Sequence, residues 1–152
     1  CRCGNFGCLE TVASGMAIVQ RARSIAQENP QSLLRRFADS PEEITVEAVC
    51  QALEDGDEAV RRLATEVGHY LGIAVANTIG LFGIRRIVLA GCVTCFGQVL
   101  FDAIEQEIAE RCLQMVADET ELRVSKMERD IVVLGASASV LTQELGLFAS
   151  FF

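Results

Sequence analysis

Residues 57–91 read DEAVRRLATEVGHYLGIAVANTIGLFGIRRIVLAG, and this stretch passes directly from a helical pattern to a strand pattern. Its first part repeats apolar residues at spacings of three and four, which is typical of one helix face. That stripe consists of Val60, Leu63, Val67, Leu71, Ala74, Thr78 and Phe82. From Tyr70 onward the helix is apolar nearly all round, so we expect burial on several sides. The β-branched run RRIVLAG, which ends in Gly91, predicts a buried strand.

Further elements are predicted on both sides of this stretch. A helix after Glu10 ends at QENPQS, where Pro30 disfavours the helical conformation of the preceding residue. SPEE, from Ser40, carries a helix start signal, and that helix runs to about Leu53. The next predicted helix runs from about Phe96 to Met115, with Leu100, Ile104, Ile108 and Cys112 on one face. A strand is predicted in ELRVSKM (121–127), with Leu122 and Val124 on one side. The last predicted element is a helix in DIVVLGASASVLTQELG (130–146).

The alternation of helices and strands predicts an α/β fold with a mostly parallel sheet. The chain offers only two convincing strands for about five helices. A two-stranded sheet is marginal by itself and cannot cover so much helix surface. We therefore expect the chain to be the back half of a larger α/β unit.

Composition restricts the classes of partner. The chain has 152 residues, 51% of them hydrophobic, and a net charge of −8. Such an acidic segment is a poor candidate for gripping nucleic acid by itself, because it repels the phosphate backbone. The sequence has no long apolar run and no secretory leader pattern, which predicts a cytoplasmic protein without a membrane partner.

The chain begins with CRCGNFGCLE, in which three of its seven cysteines stand within eight residues. Glycine between them lets the backbone curl around a metal ion, and zinc prefers thiolate and imidazole ligands. The spacing therefore predicts zinc at Cys1, Cys3 and Cys8, with one ligand unaccounted for. Three reduced thiols in a loop are the alternative. The other four cysteines are interpreted as small buried hydrophobic residues, with a redox role as the alternative: Cys50, Cys92, Cys95 and Cys112.

The same ten residues closely resemble the signature C-x-C-G-x-x-G-C-x-E of ROK proteins, a group of bacterial repressors and sugar kinases with an actin-like fold. IVLAGCVTCFG (87–97) and DIVVLGASASVLTQELGL (130–147) also look like segments of that family. The resemblance implies the C-terminal half of an actin-like ATPase (ribonuclease H-like) domain, with an incomplete parallel-type sheet flanked by helices. Residues 1–152 are then the C-terminal portion of a ROK domain, with a zinc loop at 1–10 and a helical and α/β part at 11–152.

The resemblance also assigns roles to residues. It implies a structural zinc at Cys1, Cys3 and Cys8, whose fourth ligand is a histidine upstream, and it makes Glu10 a sugar contact. The alternative role for Glu10 is a charge that favours a helix N-terminus. The family's phosphate loop, catalytic aspartate and E-x-G-H stretch would precede Cys1, so no catalytic residue is expected here. His69, the single histidine, is a substitute zinc ligand or, more simply, a histidine satisfied by a neighbour.

Two functional classes of ROK proteins, repressors and sugar kinases, share this half of the domain. ROK kinases typically have a run of glycines after the strand that resembles IVLAG, whereas here Gly91 stands alone between Ala90 and Cys92. Cβ atoms at 90 and 92 would crowd a nucleotide, which favours a NagC/XylR-type repressor. The alternatives are an ATP- and Mg²⁺-dependent sugar kinase with Gly91 near the nucleotide, and a structural remnant without ligand. Expected partners are a sugar or sugar phosphate, DNA through an N-terminal winged helix only, and further copies of the chain.

Overall fold

The computed structural model describes residues 1–125 and 131–146. The helices and strands of these residues follow one another as α1 (Glu10–Ala13), α2 (Gly15–Glu28), α3 (Val46–Glu54), α4 (Glu58–Phe82), β1 (Arg86–Leu89), α5 (Gly97–Arg111), α6 (Gln114–Asp118), β2 (Glu121–Val124) and α7 (Ile131–Glu144). Short 3₁₀ turns occupy Leu33–Arg36, Pro41–Glu43 and Cys92–Phe96. The last of these is called the Cys92 turn below.

The first predicted helix is divided in two. Ser14 has an extended backbone, and its hydroxyl accepts a hydrogen bond from the backbone N–H of Ala17 at 3.2 Å, so it ends α1 and caps α2. The buried face of α2 consists of Ala17, Ile18, Ala22 and Ala26. Met16, near the start of α2, is 45% exposed.

The start signal at Ser40 produces only a 3₁₀ turn, and the side chain of Ser40 makes no capping hydrogen bond. The helix begins five residues later, where the hydroxyl of Thr45 accepts from the backbone N–H of Ala48 at 3.3 Å. It ends at Glu54, close to the predicted end.

The long helix α4 is confirmed nearly residue for residue. It begins after Asp57, whose carboxylate accepts from the first turn, and it ends at Gly83, whose φ of +62° is the left-handed conformation that glycine permits. The helix packs most extensively against α5. A Cβ added at Gly72 would lie 2.6 Å from Cβ of Glu107, so glycine lets the two backbones approach closely.

The second half of α4 is less buried than predicted. Ala76 and Ile79 are buried, but Leu81 and Phe82 are 78% and 74% exposed. The physical reason is that α5 covers one side of α4, and in the described part of the chain the end of the helix projects past the core.

The two strands form a parallel sheet in which Ile87 pairs with Leu122. The α/β class and the parallel arrangement are confirmed. The prediction of a buried strand was wrong, because Val88 is exposed and Leu89 is only half-buried. Among residues 1–125 and 131–146 no third strand extends this sheet, so neither strand reaches the burial that is typical of the centre of a parallel sheet.

The helix predicted near the end of the chain forms as α7, although its predicted start at Asp130 lies outside the described residues, as do Lys126 and Met127 of ELRVSKM. None of the residues of α7 is buried, and its apolar side chains include exposed Val132, Leu134 and Leu141. No described helix combines the length and apolar character needed to cross a membrane.

Candidate metal centre and ligand-binding residues

The loop at the start of the chain brings three thiols together. The sulfur atoms of Cys1, Cys3 and Cys8 all lie within 4.8 Å of one another, and those of Cys3 and Cys8 are 3.6 Å apart. The backbone N–H of Gly4 donates to the carbonyl of Cys1 at 3.0 Å, which closes a tight turn between the first two thiols. The geometry therefore gathers three soft ligands on one short loop.

Glycine is required at two places in this loop. Gly4 has φ +84° and Gly7 has φ +72°, both in the region that residues with a Cβ rarely adopt. These left-handed turns let a chain of eight residues fold back so that its cysteines converge. The two glycines of the motif thus have a direct structural role.

The donor set fits a tetrahedral metal ion. Zinc binds thiolate sulfur at about 2.3 Å, so two sulfur ligands of a tetrahedron lie about 3.8 Å apart. The separation of 3.6 Å between the sulfurs of Cys3 and Cys8 is close to that value. Three thiolates would leave the fourth position of the ion to another ligand.

Electrostatics also favours the ligand form of one thiol. The backbone N–H of Asn5 and, next, the thiol of Cys8 lower the pKa of Cys3 below its usual range. Thiolate, rather than thiol, binds metal ions. At Cys3 the loop therefore favours the charged form that a metal requires.

Glu10 follows the loop directly as the first residue of α1, and it is exposed. The loop is joined to α1 at Thr11, whose backbone N–H and hydroxyl both donate to the carbonyl of Cys8, at 3.0 and 2.7 Å. Because Thr11 follows Glu10, any ion that fixes Cys8 also fixes the backbone that presents this carboxylate.

Gly91 lies at the carboxyl end of β1, with φ +95°, and starts the Cys92 turn. Both the backbone N–H and the hydroxyl of Thr94 donate to the carbonyl of Gly91, at 3.2 and 2.8 Å. Nothing lies within 4 Å of a Cβ added at Gly91, so glycine is needed there for its backbone conformation.

The structure corrects the interpretation of the scattered cysteines. Cys50 and Cys95 form a disulfide, with their Cα atoms 5.9 Å apart. Cys92 is an exposed free thiol and Cys112 is half-buried, so none of the four is a fully buried residue. Pairing across 45 residues depends on how α3 meets the Cys92 turn, which sequence spacing alone does not reveal.

His69 lies outside the metal cluster. Its Nδ1 is 2.5 Å from a carboxylate oxygen of Glu107, whose other oxygen accepts from Nε of Arg111 at 2.5 Å. Among the described residues, the groups close enough to share an ion are the three cysteines of the loop. The simpler interpretation of His69, satisfaction by a neighbour, is the one the structure shows.

Asp57 forms a buried hub that sequence analysis missed. One carboxylate oxygen accepts from the backbone N–H of Ala59 and Val60, and the other accepts from the hydroxyl of Ser32 and the N–H of Leu33. Burial acts to raise the pKa of Asp57, but these hydrogen bonds outweigh it and hold the pKa below its ordinary value. The helix-capping part of this role could have been predicted from the sequence, because an aspartate stands immediately before a long helical pattern.

The fold and loop have counterparts in known proteins. The model of the ROK family matches residues 1–143. The chain is 37% identical over 130 residues to the DNA-binding transcriptional dual regulator NagC of Escherichia coli, covering 86% of this chain and 30% of that one. It is 33% identical over 144 residues to a glucokinase of Halalkalibacterium halodurans, covering 95% and 44%. The chain thus spans less than half the length of these curated relatives.

A solved structure shows the same arrangement of elements. It is a ROK family transcriptional regulator, a homolog of the Escherichia coli MLC protein, and it superimposes with a TM-score of 0.76 at 35% identity. The match covers 85% of this chain and 32% of that one. The two-stranded parallel sheet and its helices are therefore a partial actin-like ATPase fold, and the chain belongs to the ROK family.

Proposed function

We propose that this chain is the C-terminal, sugar-sensing part of a NagC/XylR-type transcriptional regulator. In this proposal Cys1, Cys3 and Cys8 hold a structural zinc ion whose fourth ligand lies upstream, and Glu10 contacts sugar hydroxyls. Sugar binding changes the DNA affinity of an N-terminal winged helix. The similarity to NagC and to the regulator structure supports this assignment.

The metal loop supports the sugar-binding part of the proposal. Three converging thiols precede an exposed carboxylate by two residues, and Thr11 ties the loop to the helix that carries it. A carboxylate accepts hydrogen bonds from hydroxyl groups with charge-assisted strength. Zinc supplies no chemistry here beyond holding this loop, so that the carboxylate is positioned before the sugar arrives.

The turn after β1 is the observation that favours a regulator over a kinase. A kinase needs backbone N–H groups that can approach phosphates, and glycines permit that approach. Here the N–H of Thr94 is already used by the carbonyl of Gly91, and the Cys92 side chain packs against Gly15. The turn is therefore organised by these contacts, and Gly91 stands alone between Ala90 and Cys92 where the kinases typically have a run of glycines.

Regulation in this proposal is a shift between two arrangements of the whole protein. A sugar that binds one arrangement more tightly increases its population, and the DNA affinity changes accordingly. The regulator acts as a homo-oligomer, and the exposed apolar residues at the end of α4 support an assembly surface. The ligand is a sugar or a sugar phosphate.

A sugar kinase is the second candidate, because the glucokinase relative matches nearly the whole chain. In that case an upstream aspartate is the base, Mg-ATP is the phosphoryl donor and Gly91 lies near the nucleotide. The third possibility, a remnant without ligand, predicts neither binding nor catalysis. All three share the expectation that these 152 residues alone phosphorylate no sugar.

The test begins by sequencing the DNA immediately upstream of the Cys1 codon and translating it in frame. The complete gene product is then titrated with N-acetylglucosamine, with glucose and with a non-hydrolysable ATP analogue, with thermal stability as the readout. We expect stabilisation by a sugar, none by the nucleotide, and loss of the sugar effect in Glu10→Gln but not in the exposed control Glu28→Gln. A D-x-G-x-T loop at the start of the gene, with phosphorylation of the sugar, would instead establish the kinase.

A further inference from the structure

We propose that Cys50 and Cys95 form a reversible thiol–disulfide site that fastens the Cys92 turn to α3. The two cysteines are bonded in the structure, and their Cα separation of 5.9 Å lies in the usual range for such a bond. They come from two elements that are 45 residues apart in the chain. The proposal is independent of whether the whole protein is a regulator or a kinase.

The two cysteine residues differ in exposure. Cys95 lies in an exposed position of the Cys92 turn, whereas Cys50 is half-buried within α3. Exchange with a small thiol or disulfide requires access to one sulfur of the pair. Cys95 provides that access, and Cys50 completes the bond from inside.

The bond lies at a junction of three segments. A Cβ added at Gly15, the first residue of α2, would lie 2.8 Å from Sγ of Cys92 and 3.6 Å from a methyl group of Val46. Gly15 therefore fits between the Cys92 turn and the start of α3. Because the disulfide fixes these two neighbours to each other, its state determines how firmly the start of α2 is held.

The turn also has a significant place in the sheet. It follows β1 after Ala90 and Gly91, at the carboxyl end of a parallel strand. Ligands of open α/β sheets bind outside the carboxyl ends of the strands. Oxidation thus immobilises a segment at the edge where this class of fold binds its ligands.

The reaction is exchange with a low-molecular-weight disulfide such as oxidised glutathione. The thiolate of Cys95 attacks one sulfur of that disulfide, forming a mixed disulfide and releasing one small thiolate. The thiolate of Cys50 then attacks Sγ of Cys95 and releases the second. The two protons lost by the protein thiols go to the two small thiolates, so the protein is oxidised by two electrons and the glutathione disulfide is reduced. Excess reduced thiol reverses both steps.

The first experiment measures the state of each thiol. The 152-residue chain is equilibrated in glutathione buffers from fully reduced to fully oxidised, and its free thiols are alkylated. The remaining disulfides are then reduced, the released thiols are alkylated with a second label, and the chain is cleaved with trypsin. Cleavage after Arg36, Arg61, Arg86 and Arg111 separates Cys50 from the peptide that carries Cys92 and Cys95. Fragment ions at Val93 and Thr94 then distinguish these last two.

We expect Cys50 and Cys95 to lose alkylation together as the buffer becomes oxidising and to regain it together on reduction. Cys92 is the matched control in the same turn: it is bonded to no second cysteine, so it becomes protected only in more strongly oxidising buffers, as a mixed disulfide with glutathione. Alkylation of Cys95 at the rate of Cys92 in every buffer, or pairing of Cys95 with Cys92, would overturn the proposal.

The second experiment measures the fastening itself. Closing a loop of this length stabilises the folded chain, and we expect the melting temperature of the oxidised chain to exceed that of the reduced chain by about 10 °C. Hydrogen exchange of the amides in the Cys92 turn and at the start of α2 should slow on oxidation. The variant Cys50→Ser should show neither difference, and Cys112→Ser should show both. Equal melting temperatures and equal exchange in chains whose oxidation state has been verified would contradict the proposed fastening.

Discussion

The molecule has a helical core, made of the four helices α2, α3, α4 and α5, and an exposed region, made of β1, β2 and α7. The two regions differ in how far their apolar residues are buried. In the helical core Ile18, Val49 and Leu100 are fully buried by neighbouring helices. In the exposed region Val88 and Leu141 remain mostly in contact with solvent. Both regions are rich in apolar residues, so composition does not distinguish them. What differs is the number of elements that cover each one, and the stability of this chain should therefore reside in the helical core.

The largest expected effect is on a buried leucine. Leu100→Ala removes a side chain of 0% exposure, and the lost burial plus the cavity should lower the free energy of unfolding by about 3 kcal/mol. The matched control is Leu141→Ala on α7, where the side chain is 59% exposed and the expected change is below about 0.5 kcal/mol. Urea unfolding measures both. Equal losses would show that α7 is as firmly packed as α5, and the comparison would fail.

A slightly smaller effect is expected at the buried hub. Asp57→Ala removes the acceptor of four hydrogen bonds that join α4 to the segment of Ser32, and it should cost about 2 kcal/mol. The exposed neighbour Asp55→Ala is the control, with an expected cost below about 0.5 kcal/mol.

The lowered pKa of Asp57 also predicts a pH dependence. Because the folded pKa lies below the unfolded value, the stabilisation is complete above the unfolded pKa, near 4, and is lost as the pH falls through the folded pKa. Urea midpoints measured between about pH 5 and pH 2 should therefore fall more steeply for the native chain than for Asp57→Ala. Parallel slopes would show that other carboxylates account for the acid sensitivity.

Alanine substitution at two glycines of α4 should change the free energy of unfolding in opposite directions. At Gly72 a Cβ would lie 2.6 and 2.8 Å from atoms of Glu107, so Gly72→Ala forces the two helices apart and should cost about 1–2 kcal/mol. At Gly80 nothing lies within 4 Å, so Gly80→Ala should stabilise the helix by up to about 1 kcal/mol. Thermal unfolding of the two variants measures the difference. Two changes of the same sign would contradict the close approach of α4 and α5.

The smallest effect on global stability is expected from the metal loop. Its three thiols lie within eight consecutive residues, so an unfolded chain retains nearly the same ligands, and a metal that binds both states adds little stability. Cobalt titration should produce thiolate-to-metal absorption that Cys8→Ser weakens by at least about tenfold in affinity and Cys112→Ser leaves unchanged. Removing the metal with a chelator should leave the urea midpoint unchanged. A large shift of that midpoint would place the loop within the cooperative unit of the helical core.

Sequence patterns predicted those elements whose signals are local. The long helix from Asp57 to Gly83 carries its own cap, periodicity and stop, and α5 shows the predicted buried positions at Leu100 and Ile104. The parallel pairing followed from the order of helices and strands. The convergence of the three cysteines followed from their spacing and from the glycines between them.

One local competition and two features that depend on distant contacts were missed. Ser14 divides one predicted helix into two, because a capping hydroxyl competes with helix continuation. The disulfide of Cys50 and Cys95 arises from the meeting of two elements that are far apart in sequence. The burial predicted for β1 depended on strands beyond the two that the described residues contain.

The two-stranded sheet has a consequence for how this chain behaves in concentrated solution. Within the described residues β1 and β2 each pair on one side only, and such edges are templates for pairing with another molecule. The net charge of −8 opposes that encounter by mutual repulsion, and added salt screens the repulsion. Mild acid acts in the same direction, because protonation of carboxylates removes negative charge. Storage at low salt and neutral pH should therefore keep the chain in solution. Adding salt or acid to a concentrated sample should cause the chain to aggregate before it unfolds.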